Sequence, residues 1–466
     1  MSKGTYLFVP FVFAFLPVLS AQIAPYPNAR TDRAIIPKTP MSPPPVNSVF
    51  QDPDFGSLMV RVTDQNTGPR PTDRGGFYRT LASGEGNPWS LDTGKFYVVT
   101  QGGADLAFGF DPSSMGSWQL LGPKGQGLLL PFRPGAFFSM VDPDLIYGVM
   151  FSSPLTINAY RFSTATLSNV IDTTACGTQP ALSPDAVSGD DLSVSSGDNR
   201  FALSEGGSQV DQHMFVVVYD SSLGCRWYNT QTGEIGGEWG PVGQASWTRS
   251  YLIHHAYISK DGQYVRVLAS GQQGGSWGSE ASATDTSRPS GEFVWHIGSL
   301  DVEPCMPYCG GYGAGGFSHY VNQSGYLDEM NILDRPYGAL SKTVQLVTPL
   351  PSPPRFGIQY HFSWNDANPN DSVPVCGSSL RYYAYGLITR PWDAEIDCFE
   401  TDGAASTIWR FAHNRASADG VHFNTQPLGS LSRDGRFFLF TSDWDGQLGI
   451  ESHGTPRSDV WIVKLQ

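Results

Sequence analysis

Short apolar runs separated by polar turn phrases recur along almost the whole chain, and few windows show the 3.6-residue period of an amphipathic helix. The sharpest instance is 429–466, GSLSRDGRFFLFTSDWDGQLGIESHGTPRSDVWIVKLQ: a strand, a tight Asp434-Gly435 turn, a second strand at 437–441, a loop, and a final strand at 459–465. Looser copies lie upstream. They group as 89–112, 137–163, 192–235, 254–301, 318–349, 360–413 and 421–465, each with a polar turn such as DTG, SGDN, KDG or RDG leading into an alternating strand.

A spacing of roughly 45–60 residues suits a four-stranded antiparallel unit repeated around an axis. The expected fold is therefore all-β, a β-propeller of seven four-stranded blades. The isolated strand at 57–63 and the strand ending beside Gln466 would pair to close the ring. A pair of β-sandwiches is the competing architecture, and it explains the recurring turn–strand phrase less well. Residues 22–56, rich in Pro, Asn and Ser without periodicity, read as a linker or arm ahead of one propeller domain spanning 57–466.

Composition supports this picture. Gly 52 and Pro 35 exceed the ordinary share while charged residues make up only 15%, which suits many turns joining short strands and disfavours long helices. The formal net charge of −14 argues against nucleic acid, whose binding requires clustered Lys and Arg. Residues 1–21 have the form of a secretory leader: Lys3, an apolar run at 6–19 broken by two prolines, then Ser20-Ala21. No later run is long enough to span a bilayer. An exported, monomeric protein follows as the expectation.

Six cysteines in an exported chain permit 15 pairings. Cys305 and Cys309 are close enough to staple a loop, Cys376 and Cys398 would clip an insertion within one repeat, and Cys176 and Cys225 are left over. Two sequons, at Asn322 and Asn370, would be glycosylated in a eukaryotic host.

The phrase S-x-D-G-R/K followed by alternating apolar positions, present as SRDGRFFLFTS and more loosely as SKDGQYVRVLAS, resembles the repeat of TolB-type propellers. The overall layout is similar to that of propeller lyases acting on oligogalacturonate. The resemblance implies the fold; propellers host many unrelated activities.

Candidate chemistry gathers in three places. His254-His255, His319, His361 and His422 fall near the openings of successive repeats, where innermost strands would point imidazoles at a central channel. Converging imidazoles suit a divalent transition metal, with His319 and His361 as ligands and His255 or His422 as a base. A second cluster is Arg410, His413 and Arg415 with Asn424 and Gln426, a donor-rich stretch between repeats. A third places indoles beside amides and carboxylates, Trp364-Asn365-Asp366 and Trp444 between Asp443 and Asp445, a combination suited to sugar rings. For each group the competing role is structural: histidines linking blades, arginines pairing with carboxylates, indoles filling gaps. The Gly-rich run 309–319 lacks the Lys-Ser/Thr of a phosphate loop, and no GxSxG occurs.

Two functions follow from these residues. One is a secreted propeller binding a glycan or an extracellular protein at its channel mouth. The other is a metal-assisted lyase on uronate-containing glycans. The lyase would draw on Arg410 or Arg415 as well as the histidines, and β-elimination would need a cation on the carboxylate, a base and a proton donor.

Overall fold

The computed structural model describes residues 26–465 apart from 71–74, 82–84, 177–191, 208–211, 270–290, 306–309, 324–331, 341–343, 346–358, 370, 372, 381–387, 402–406, 420–421 and 452–453. Residues 1–21, read from sequence as a leader, thus lie outside the described residues.

The chain is all-β. Among the described residues, helix is confined to two three-residue 3-10 turns, Thr173–Ala175 and Phe423–Thr425. The strands form five hydrogen-bonded sheets in a β-propeller-like arrangement. Tyr78–Arg79, Lys95–Thr100, Asp105–Asp111 and Gly116–Gln119 make one antiparallel meander. Phe137–Phe138, Leu145–Met150, Ser153–Arg161 and Thr166–Asp172 make the next. A ten-stranded sheet runs from Ser193–Val194 to Val302–Pro304, and a single residue pair, His213 with Ile253, joins its two meanders. An eight-stranded sheet likewise joins Gly310–Gly315 to Gln359–Ser363 through one parallel pair, Tyr312 with His361. In the fifth sheet the C-terminal strand Asp459–Lys464 lies between Phe437–Ser442 and the N-terminal strand Leu58–Arg61. Val49–Gln51 adds an outer strand to it, so the sheet begins inside the Pro-rich arm.

Strands that read as unbroken apolar runs do so because both of their faces are covered. In Phe437–Ser442, Phe437 and Leu439 pack with Trp89, Phe96 and Phe108 of the first meander. Their neighbours Phe438 and Phe440 pack on the opposite side with Ile396, Trp409 and Phe411. Val460 and Ile462 against Trp461 and Val463 repeat the division. One sheet is thereby wedged between two others, with opposite sides of each strand serving different cores.

Two disulfides are present among the described residues. Cys376–Cys398, with Cα atoms 4.0 Å apart, staples directly opposed strand positions. Cys176–Cys225 (5.2 Å) pairs the two cysteines the sequence reading left over; 49 residues separate them in sequence, but the loop after Thr166–Asp172 lies against Gly224–Asn229. Cys309 lies outside the described residues. The sequon at Asn322 is also corrected: its side chain is fully buried and donates to Glu292 (3.3 Å) while accepting from Arg335 (3.2 Å). Expression in a eukaryotic host is expected to leave Asn322 unmodified, which peptide mass spectrometry would check. Asn370 lies outside the described residues.

Candidate functional site

The S-x-D-G phrase is a turn built the same way in four places. Ser90, Ser259 and Ser432 each donate through Oγ to the carboxylate two residues on, and Ser195 hydrogen-bonds through Oγ with Asn199. Each serine Oγ also accepts the backbone N–H five residues on, from Lys95 (2.9 Å), Tyr264 (3.0 Å), Phe437 (3.0 Å) and Arg200 (3.1 Å). The fourth residue of the phrase takes positive φ: Gly262 (+73°), Gly435 (+70°), Thr93 (+59°) and Asp198 (+53°). Glycine meets this requirement without strain, while β-branched Thr93 does not, and its buried hydroxyl has no partner among the described residues. Thr93→Gly is therefore expected to stabilise the protein by about 1 kcal/mol, read from chemical unfolding.

The consequence lies with the residue after each serine. In two turns it is a cation, Lys260 or Arg433, and both point into a pocket where first strands of several meanders meet. The pocket is lined by Phe137 and Met140, Ser193 and Val194, Tyr257 and Ile258, Ala314 and Gly315, Trp364 and Asn365, and Glu85. Segment 85–89 crosses this meeting point. Glu85 receives Arg266, the Gly86 carbonyl accepts from Asn365 Nδ2 (2.6 Å), Asn87 exchanges hydrogen bonds with Phe138 (3.0 Å each), and Trp89 Nε1 reaches the Ser430 carbonyl (3.4 Å).

Within the pocket, Lys260 Nζ lies 3.2 Å from Asp366 Oδ2 and 5.5 Å over the Trp364 ring. Arg433 Nη1 donates to the Asn365 carbonyl, with the Asp366 carbonyl 3.5 Å away. Asn365 Nδ2 also donates to Ser430 Oγ (2.9 Å), and Trp364 Nε1 to the Val373 carbonyl (2.8 Å). Burial dominates the electrostatics. It lowers Lys260 and brings Arg433 down to about 10, against the pull of Asp366. It also raises Asp366 against Lys260, and raises Glu85 to about 7, where Arg266 opposes and Glu292 adds to the rise. Arg266 is shared between two carboxylates, Glu85 and Glu292. One guanidinium cannot hold both as well as it would hold one.

Of the residues singled out from sequence, Trp364, Asn365 and Asp366 lie at this pocket. The other candidates are elsewhere or otherwise engaged. His255 is on the strand Ile253–Ile258, its ring 5.6 Å from Tyr257 and 4.0 Å from His254. Burial, then His254 and Arg266, hold it well below the usual imidazole range, so it is neutral. His361 is fully buried on the side of its strand away from Tyr360 and Phe362. His319 is part-exposed, with Nδ1 3.9 Å from Asp334. His422 caps the turn Phe423–Thr425 and holds Asp419 through Nδ1 (2.6 Å). Among the described residues no three His, Cys, Asp or Glu side chains are grouped to hold a metal ion. His319 and His361 lie on different strands, His319–Gln323 and Gln359–Ser363, and no chemistry is routed through a metal there.

Arg410 and Arg415 secure the N-terminal arm. Arg410 grips Glu395 through Nε and Nη2 (2.7 Å each), and its Nη1 binds the carbonyls of Asp32 and Ala34 (2.9 Å each). Arg415 donates to the Thr39 carbonyl (2.9 Å) and lies over Trp444. His413 sits against Phe55, with Nε2 3.7 Å from Asp54; burial lowers it to about 4. Asn424 Nδ2 donates to the Pro456 carbonyl (2.5 Å), and the half-buried Gln426 binds the Phe423 carbonyl through its backbone N–H (3.1 Å). Neither indole offers a free face for a sugar. Trp444 stacks on Trp461 at 4.0 Å with Arg415 over its ring, and Trp364 is buried under Lys260. Lys260 and Arg433 were missed, although the turn phrase that carries them was in view.

No family model matches the sequence, and no curated protein does. Among solved structures, an oligogalacturonate lyase in complex with manganese is 14% identical, with a TM-score of 0.52 over 94% of this chain and 98% of its own. Oligogalacturonate lyase from Vibrio parahaemolyticus is 12% identical with the same TM-score and coverage. TolB from Acinetobacter baumannii is 11% identical over 62% of this chain and 60% of its own, with a TM-score of 0.32. At these identities the two lyase structures are evidence of fold alone, and what they support is a β-propeller-like architecture.

Proposed function

We propose that this protein is an exported propeller that binds its ligand in the central pocket and performs no chemistry of its own. One observation carries the reading: Lys260 and Arg433 occupy the same position of a repeated turn and meet Trp364 and Asn365 in one pocket, with Asp366 paired to Lys260. Oriented cations beside fixed amide and carboxylate groups suit recognition. The arginines and histidines named for catalysis are engaged elsewhere or lie apart. A ring of seven four-stranded blades accommodates the sheets, because the ten- and eight-stranded ones each divide at a single bridging pair. Pairing of Leu58–Arg61 with Asp459–Lys464 supports closure through the two ends of the chain. Two disulfides support export to an oxidising compartment.

A uronate lyase is the second reading, and Glu85 favours it: a pocket carboxylate raised to about 7 has the proton affinity of a general base near neutral pH. One experiment separates the two. Purified protein is titrated with oligogalacturonate, alginate oligomers, neutral cello-oligosaccharides and short aliphatic carboxylates, following its unfolding midpoint and absorbance at 235 nm. Binding reading: the midpoint rises with at least one ligand class while the absorbance stays flat. Growth at 235 nm that Glu85→Gln abolishes would replace it with the lyase reading.

A further inference from the structure

Arg433 is a buried cation with no carboxylate in direct contact among the described residues. Its side chain is 3% exposed. The acceptors of Nη1 are neutral carbonyls, and its Nε has no acceptor among the described residues. The nearby carboxylates are committed elsewhere. Asp366 takes Lys260 and the backbone N–H of Asn368 (2.8 Å). Asp198 takes the Met140 N–H (2.8 Å), the Tyr147 hydroxyl (3.0 Å) and Ser139. Lys260 thus has a carboxylate in contact, whereas Arg433 feels Asp366 and Asp198 only through space. A buried guanidinium without a carboxylate in contact is costly, and its planar edge suits the two oxygens of one.

The size of the pocket narrows the ligand. Its cavity measures ≈ 30 Å³, where one water needs about 10–15 Å³ by the same measure. A carboxylate with a short tail fits such a space and a pyranose ring does not. Besides Glu85, Lys260, Ser193 and Asn365, the lining carries the apolar side chains of Phe137, Met140, Val194 and Ile258. We infer that the pocket takes a small aliphatic carboxylic acid, its carboxylate set on Arg433 and its tail against those side chains. The inference rests on the binding reading and specifies its ligand.

The test is calorimetric titration of the full chain with acetate, propionate, phosphate, galacturonate and trigalacturonate, using wild type, Arg433→Met and Arg433→Lys. Propionate is expected to bind more tightly than phosphate. Arg433→Met should weaken propionate by about tenfold or more, the worth of a charge-assisted hydrogen bond, and Arg433→Lys should restore part of the loss. Arg433→Met removes a buried charge that has no carboxylate in contact and should unfold no earlier than wild type; if it fails to fold, Arg433→Lys and the propionate-to-phosphate ratio still decide. Equal binding of propionate by wild type and Arg433→Met overturns the inference, as does phosphate binding as well as propionate. Binding of galacturonate or trigalacturonate without propionate also overturns it, and assigns the carboxylate to a glycan end while leaving the binding reading intact. A neutral oligosaccharide competing in the pocket would do the same. Failure of the binding reading itself has a separate signature, growth of absorbance at 235 nm.

Discussion

Arg410→Ala is expected to destabilise the protein by about 3–5 kcal/mol, the usual effect of stripping one partner from a buried ion pair. Glu395 is fully buried, its two oxygens each held at 2.7 Å by Arg410, and Asp397 lies close enough to raise its own cost of ionisation. Truncation would leave that carboxylate without a cation. The substitution would also release the arm, because Arg410 Nη1 and the Arg410 backbone N–H together hold the carbonyls of Arg30, Asp32 and Ala34. Urea unfolding should show a lowered midpoint, and limited proteolysis should cut within 30–48 faster than in wild type. A loss below about 1 kcal/mol would mean that the pair contributes no more than an exposed one.

Glu85 and His413 should impose opposite pH dependences on stability. Glu85 is raised from 4.5 to about 7 in the folded chain, so between those values the native state retains a proton the unfolded state releases. Stability from this group is full below about pH 4.5 and falls as pH rises towards 7, by about 3 kcal/mol at most. His413 is lowered from 6.5 to about 4, so there the unfolded state binds the extra proton. Its contribution is present above pH 6.5 and is lost as pH falls towards 4, by a similar amount. Over pH 4–7 the contributions of these two groups nearly cancel each other. Unfolding free energies of Glu85→Gln and His413→Gln should separate them: relative to wild type, the first gains stability as pH rises and the second gains it as pH falls. Parallel profiles for all three proteins would show that neither group is perturbed by burial.

The fold was legible because a turn leaves a local mark. Ser-x-Asp-Gly encodes a hydrogen-bonded geometry within six residues, and the strand after it follows from apolar content alone. What could not be read was the side of each strand facing the axis. Phe437–Ser442 and Gln359–Ser363 are covered on both faces, so alternation carries no signal and His361 was placed in the channel from strand order only. Arg410 and Arg415 had the chemistry of substrate-binding cations, but their partners in the arm lie 376 to 378 residues away. Lys260 and Arg433 were hidden differently. They sat inside the phrase that identified the fold and were read as turn residues, although the turn geometry is what aims them at the axis.

The central claim is that ligand binds where these turns meet. Hydrogen–deuterium exchange with and without saturating propionate tests it directly, by comparing peptides across the chain. The account predicts slowed exchange in peptides covering 85–90, 257–262, 363–366 and 430–435, with the outer strand Gly116–Gln119 and the arm unchanged. Protection confined to the outer strands or the arm, with none at those four segments, would contradict it.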